Sequence, residues 1–457
     1  MSIKNKIAQY KAYKNGIVHC TFNPDGPGVV RMHLVPPKFR LIGNPPYVLI
    51  LNGYYLLPVG YSWAILLGEF MSEVCKYDGR EMNEADIDSI IEETVKKTYA
   101  TYPSVTREYI REDLFTLLDV LFAIARGETP DAEIEKMSIR EYSPNMTAPH
   151  RIDLMISALT DSDGRWNCNA RCSFCYAKGQ PLSSSQELTT EEWKRAIDRL
   201  REAGVPMLTF TGGEPTMRAD LCELVEYARW HVTRLNTNGI KMTDELCRAL
   251  RAAGLDSVQF TFYSHDEAVH NSLVGGEHYK QTLRGIKAAL SAGLDVSVNT
   301  PLSKANAEYL PTLETVYSLG VRFVTVSGLI STGGAADKHV QADLSEQELY
   351  EIVKEAKSFC DSHSMEIDFT SPGLISKEHL ESLYMNVASC GAALSNMAVS
   401  PDGKVIPCQS WLSTGAELGN ILTDSFSLIW QNDTCKKLRA MTDKEALGCP
   451  LRKRREI

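Results

Sequence analysis

Three cysteines spaced Cys168-Asn-Ala-Arg-Cys172-Ser-Phe-Cys175 constrain this chain more than any other stretch. Thiolates this close along a loop can hold three irons of a [4Fe–4S] cluster, for which cysteine is the usual ligand. No fourth cysteine follows at that spacing, so one iron is left open to a small molecule. A zinc site would ordinarily bring paired CxxC spacings and a fourth ligand close by. The fold must therefore present this loop on a scaffold that encloses a reaction. At 457 residues the chain is long enough for roughly two to four domains.

Composition narrows the partners. With 44% apolar and 23% charged residues the chain reads as globular. A net charge of −10 argues against a nucleic-acid backbone as partner. The one basic run, Arg452-Lys453-Arg454-Arg455, reads as a solvated terminus. No apolar run reaches transmembrane length, and Met1-Ser-Ile-Lys-Asn-Lys lacks the apolar stretch of a signal peptide. The expectation is a cytoplasmic protein without nucleic-acid or membrane partners. Twelve cysteines in such a chain point to metal or redox chemistry rather than disulfides. Cys20, Cys75, Cys222, Cys247 and Cys360 have no partner in the sequence and read as small buried hydrophobes. The triplet remains, with a late group of Cys390, Cys408, Cys435 and Cys449. No histidines stand at metal spacing: His19, His33 and His231 are isolated, and Gly333-Gly334 lacks a P-loop lysine.

Residues 1–130 read as a separate unit. Tyr47-Val-Leu-Ile-Leu, Asn52-Gly53 and Tyr54-Tyr-Leu-Leu predict a two-residue hairpin. Ser62 is expected to cap a helix from Trp63, broken at Asp78-Gly79. Further helices follow Asn83 and Thr106, giving a winged-helix-like unit. Residues 131–150 read as a linker. From 151 to 340, apolar strands at 152–159, 207–211, 231–236, 256–262, 294–300 and 322–327 alternate with amphipathic helices, one behind the capping box Thr189-x-x-Glu192. Repeated βα units imply a parallel sheet with helices outside, an α/β fold. Residues 341–457 depart from that pattern and carry the late cysteines.

The strand Met207-Leu-Thr-Phe-Thr211 ends in Gly212-Gly213-Glu214-Pro215. Glycines let the backbone approach a ligand closely, and a carboxylate there can accept from an ammonium group. Together, CxxxCxxC and GGEP resemble the radical SAM superfamily. The resemblance implies a partial (βα)6 TIM-type barrel, open on one side, with S-adenosylmethionine on the triplet's cluster. It gives Cys168, Cys172 and Cys175 to that cluster and Gly212, Gly213, Glu214 and Pro215 to SAM. Phe174 fills the aromatic slot before the third cysteine, which relatives use to shield the cluster and contact adenine. Tyr176 either shares that role or packs. Thr261 and Asn299 match by position the residues that contact ribose and the methionine carboxylate, and Asn236 lies at the mouth. Many relatives read Ser-Leu-Asp where this chain has Thr261-Phe262-Tyr263. Tyr263, Ser264, His265 and Asp266 either face substrate or cap the next helix.

Cys390, Gly403 and Cys408, around a turn at Pro401-Asp402-Gly403, resemble the opening of the SPASM and twitch domains, whose hairpin holds an auxiliary [4Fe–4S] cluster. After Cys449-Pro-Leu comes Arg452, where a full SPASM domain continues with further ligands. The expectation is one auxiliary cluster on Cys390, Cys408 and Cys449, its fourth position taken by Cys435 or open to substrate. Residues 45–127 resemble the peptide-binding (PqqD-like) domain of radical SAM enzymes that mature ribosomally made peptides. The resemblance implies an enzyme that cleaves SAM to a 5′-deoxyadenosyl radical and modifies a precursor peptide. The leader would add as a strand to the N-terminal hairpin, and a flavodoxin or ferredoxin would donate electrons. Two alternatives stay open: a dehydrogenase or maturase acting on a small molecule or folded protein, and a non-catalytic iron–sulfur electron carrier.

Overall fold

The computed structural model describes residues 6, 10–11, 16–22, 29–39, 45–77, 82–130, 134–157, 168–177, 187–330, 332–336, 342–412, 414–444 and 448–453. The expected break at Asp78-Gly79 and half of the basic run, Arg454 and Arg455, lie outside them. Two compact units form, Met1–Thr147 and Ala148–Ile457. No helix among the described residues is long and apolar enough to cross a membrane.

The first unit is a four-stranded antiparallel sheet in the order β1 (Val18–Phe22), β2 (Val30–Val35), β3 (Tyr47–Leu51), β4 (Tyr55–Val59). The hairpin β3–β4 forms where the sequence predicts it, with Asn52 and Gly53 both at positive φ, 52° and 68°, but Leu51 pairs with Tyr55, so the loop has three residues rather than two. Asn52 also extends the ladder to β2: its N–H donates to Arg31 O at 2.8 Å, and its Oδ1 accepts from Arg31 N at 2.8 Å. Strands β1 and β2 were not expected. They bring His19 and His33 into register with ring centroids 4.6 Å apart, so these histidines are not isolated. Helices α1 (Tyr61–Val74), α2 (Glu84–Thr101) and α3 (Arg107–Ala125) cover one face. Helix α1 begins at Tyr61 behind Gly60, which has no side chain to cap it, so Ser62 lies inside the helix. Asn83 and Asp86 form a capping box on α2, and Thr106 Oγ1 accepts from Tyr109 N on α3; such caps contribute about 1 kcal/mol each. Met32, Leu49, Leu51, Leu67, Met71 and Leu114 form the core. Lys97 Nζ of α2, 2.6 Å from the buried Glu73, ties α2 to α1.

The second unit is built on one ten-stranded sheet. Strands β5 (Arg151–Ser157), β6 (Met207–Gly212), β7 (Val232–Thr237), β8 (Ser257–Thr261), β9 (Asp295–Pro301) and β10 (Phe323–Ser327) are parallel neighbours in chain order. The parallel run continues past the six barrel strands into β11 (Glu366–Phe369), a strand the sequence places near 365–369, which pairs with β10. At the other end β12 (Asn396–Val399) adds parallel to β5, followed by β13 (Lys404–Ile406) and β14 (Gly419–Asn420). Residues 151–340 and 341–457 therefore share one sheet.

Alternation along the parallel strands separates two faces. Ile152, Leu154, Leu208, Phe210, Val258, Phe260, Val298 and Val324 are fully buried. Positions of the other parity are polar: Asp153, Thr209, Asn236, Gln259, Asn299 and Thr325. Gln259 Nε2 of β8 donates to Thr325 Oγ1 of β10 at 3.2 Å, passing over the intervening β9. Reaching across a strand in this way requires curvature, so the polar side is the concave interior of an open barrel.

Candidate active site

The cluster loop is anchored at three places. Arg171 N and Ser173 N donate to Val274 O and Leu273 O, at 2.8 and 2.9 Å, at the end of helix Glu267–Val274. Gly275 follows with φ 70°, and a Cβ there would lie 2.5 Å from Arg171 O. Gly334 N donates to Cys175 O at 2.8 Å, while a Cβ on Gly333, at φ +53°, would meet Tyr176 O at 2.3 Å. Gly333-Gly334 is thus a seat for the cluster loop, a role no local motif announces. The third anchor is Tyr176, whose hydroxyl donates to Gly212 O at 3.0 Å and whose ring packs with Met155, Ala398, Ile406 and Leu412. Of its two expected roles, packing is the one with contacts.

The three thiols lie within electrostatic reach of one another. Desolvation pushes Cys168 up to about 11, with Glu214 and Cys175 adding to the rise, and Cys172 up to about 12, with Cys175 and Cys168 adding. Tyr263 lies beside Cys172 and offsets part of that rise. Phe174 packs with Cys172, Tyr263, Leu273 and Val274. Tyr263 thus belongs to the loop's support. Ser264 and Asp266 are helix-capping groups: Asp266 Oδ1 accepts from Ala268 N and Val269 N, and Ser264 Oγ from Asp266 N. His265 bonds to Thr312 Oγ1 at 3.2 Å.

Glycine at 212 is required by close approach. Its φ is 138°, and a Cβ would lie 2.8 Å from Ser157 O. Glu214 is buried at 1% exposure. Its Oε1 accepts from Thr216 N, Thr216 Oγ1 and Thr237 Oγ1 at 3.1, 2.6 and 2.7 Å, and its Oε2 from Asn238 N at 2.8 Å. Burial raises its pKa against the pull of those bonds. Asn238 carries the connection onward, its Nδ2 donating to Asn169 Oδ1 at 2.7 Å beside the Cys168 sulfur at 3.9 Å. The asparagine that meets the cluster loop is therefore Asn238. Asn236 lies inside β7 with a buried Oδ1 that has no hydrogen-bond partner among the described residues. Thr261 and Asn299 are direct neighbours in the β8–β9 register, and Asn299 Oδ1 accepts from Thr325 Oγ1 at 2.9 Å. Pro215 opens a short 3-10 turn behind Glu214.

A second thiol group forms around the β12–β13 hairpin, whose turn uses Gly403 at φ 84°. Desolvation pushes Cys408 up to about 12, with Cys390 and Cys449 adding to the rise, and raises Cys390, with Cys449 contributing. The loop between them is tight: Leu394, Ser395 and Asn396 N–H groups all donate to Gly391 O at 3.0 Å. Cys435 is not brought to this group. It is buried in helix Asp433–Lys444, where Arg439 Nη1 donates to its sulfur at 3.4 Å while the same guanidinium lies 3.8 Å over Trp430. Asp153, inside the apolar strand β5, was missed. It pairs with Arg151 at 3.0 Å, and its charge is felt by both Tyr176 and Cys408.

Both thiol groups fit iron–sulfur clusters. Each brings three cysteines, none in a disulfide, within electrostatic reach of one another; among the described residues no three ligands stand close enough for a single metal ion, as expected of thiolates carried on separate irons. Such thiols bind metal as thiolates, with proton release.

A family model described as the Radical SAM superfamily matches residues 167–316, and one described as an iron–sulfur cluster-binding (SPASM) domain matches 390–450. The chain belongs to the radical SAM superfamily and carries a SPASM domain; it is an enzyme with SAM, a [4Fe–4S] cluster and auxiliary iron–sulfur ligation as its equipment. An AdoMet-dependent heme synthase of Methanosarcina barkeri is 30% identical over 289 residues, covering 60% of this chain and 82% of that protein. A PqqA peptide cyclase of Bradyrhizobium diazoefficiens is 30% identical over 276 residues, covering 58% of this chain and 70% of the cyclase. Among solved structures, Streptococcus suis SuiB bound to its precursor peptide SuiA shares the fold with a TM-score of 0.58 at 13% identity, over 86% of this chain and 87% of SuiB.

Proposed function

We propose that this enzyme modifies a ribosomally synthesised precursor peptide. The modification class is a cross-link, thioether, epimerisation or similar change at a carbon position. Cys168, Cys172 and Cys175 would hold a [4Fe–4S] cluster that, with SAM bound, would supply a 5′-deoxyadenosyl radical. The chain's own residues do the rest. Glu214, Thr261 and Asn299 orient SAM at the barrel mouth. The polar concave face receives the peptide segment, and Phe174 and Tyr263 keep water from the loop. Cys390, Cys408 and Cys449 hold one auxiliary [4Fe–4S] cluster, and a flavodoxin or ferredoxin is the electron source.

The observation that carries this reading is the N-terminal sheet-and-helix unit. Its β4 lies at a sheet edge, the place where an extended peptide can add through main-chain hydrogen bonds. The SuiB and cyclase likenesses support it. The test compares the full chain with a chain starting at residue 148, given SAM, reductant and the short peptide encoded beside the gene. The full chain should change the peptide's mass and the shortened one should process it far more slowly, while both make 5′-deoxyadenosine. Equal processing removes the recognition role. The similarity to a heme synthase favours a second reading, action on a small molecule. A full chain that alters a tetrapyrrole and leaves the peptide untouched would establish it instead.

A further inference from the structure

Each edge of the N-terminal sheet is already engaged by the chain itself. At β1, the Cys75 thiol beyond the end of α1 donates to His19 O. At β4, Met137 N donates to Leu56 O at 2.8 Å. Leu56 sits between Tyr55 and Leu57, so its carbonyl points away from β3. Pro58 has the same parity, and its missing N–H falls on that outward side. The segment leading to Met137 lies along the edge with alternating contacts. Ile134 packs against the core that Tyr55, Leu57 and Val59 enter, and Lys136 Nζ lies 5.0 Å over the Tyr55 ring. Two residues apart and on one face, they make the contacts of an added strand. One main-chain bond, one half-buried isoleucine and one cation–π contact form a weak attachment.

We propose that residues 134–137 occupy the outer edge of β4 as a built-in competitor, and that an extended peptide docks there by displacing them. The inference rests on the peptide-maturation reading above and adds the place and the occupant. The edge selects an extended segment with an apolar residue followed two positions later by a cation, since the resident segment presents Ile134 and Lys136 in that spacing. Displacement frees the stretch that runs on to β5, the strand preceding the cluster loop.

The probe is a labelled synthetic peptide of residues 134–141, Ile-Glu-Lys-Met-Ser-Ile-Arg-Glu. It is titrated against the full-length chain and against the full-length variant Ile134→Gly, Lys136→Gly, Met137→Pro, with Met137→Pro alone as the milder form. The variants should bind the probe at least tenfold more tightly than the wild type, with SAM cleavage retained as evidence of folding. Equal affinity, or binding to none, overturns the proposal. Hydrogen exchange then separates it from the function reading. If the precursor peptide is processed with no faster exchange at residues 134–138, the docking edge is wrong and the maturase stands. If no precursor is bound or modified while the probe still distinguishes variant from wild type, the edge stands and the maturase reading falls.

Discussion

Glu214 satisfies four protein donors with two oxygens, which makes it a brace for the site as well as a candidate SAM ligand. Glu214→Ala strands those donors in a buried place, where each unmet one costs about 1–3 kcal/mol. We expect unfolding free energy to fall by about 3 kcal/mol or more and SAM affinity by about tenfold or more. Because Asn238 relays the brace to the cluster loop, iron content should fall as well; denaturation, SAM titration and iron assay read the three effects. His270 gives a pH dependence. Burial lowers its pKa from 6.5 to about 4, and its Nδ1 accepts from Tyr263 N at 3.3 Å. A base depressed in the folded state stabilises the fold above the unfolded pKa and loses that contribution as pH falls toward the folded one. The apo-protein should lose about 2 kcal/mol between neutral pH and pH 5 through this group. The loss should be absent in His270→Phe, measured as the slope of stability against pH. Cys168→Ala, Cys172→Ala and Cys175→Ala combined should abolish 5′-deoxyadenosine formation, followed by chromatography; undiminished cleavage would remove the triplet from the reaction.

Among the elements, those with local chemistry were readable. Asn52-Gly53 specified its hairpin because only residues tolerant of positive φ make that turn. The Asn83 and Thr106 caps and the Thr189–Glu192 box marked helix starts because the side chain and the N–H it satisfies are three residues apart. Ser62 misled for the same reason: a capping side chain is a preference, and here burial of Leu66, Leu67, Phe70 and Met71 set where α1 starts. The strands β1 and β2 were legible but missed: Val18-His-Cys-Thr-Phe22 and Val30-Arg-Met-His-Leu34 alternate apolar with polar residues, and Asn23-Pro-Asp-Gly-Pro-Gly28 between them is a turn signal. The Gly333 seat belongs to this scale. Gly333→Ala would place a methyl 2.3–2.4 Å from the Tyr176 and Cys175 carbonyls. The cluster loop must then shift, and the variant should reconstitute with about half the iron or less on the loop, with the SPASM group unaffected. Mössbauer or iron counting against a Cys390→Ala, Cys408→Ala background isolates that loss.

In the whole molecule, β12 pairs with β5, so the auxiliary thiols hang from the strand that leads into the SAM loop. Two thiol groups of three imply two [4Fe–4S] clusters and about eight irons. Cys390→Ala with Cys408→Ala should lower the count to about four irons, retain SAM cleavage and abolish product. Cys435→Ala should leave the count unchanged, because its sulfur is held by Arg439 instead. Twelve irons in the wild type would refute the ligand assignment. The chemistry was legible in the chain alone: contiguous spacings such as CxxxCxxC and GGEP put reactive groups within one loop, whatever the rest of the chain does. Within the barrel, periodicity and caps also set the order of strands and helices, since both are local signals. Which distant groups meet is settled by the folded arrangement. Gly333 under Cys175, Asn238 beside Cys168, Asp153 between Tyr176 and Cys408, and residues 134–137 on the edge of β4 are neighbours across long stretches of chain. Such contacts are fixed by sheet pairing and packing, whose partners no local pattern names.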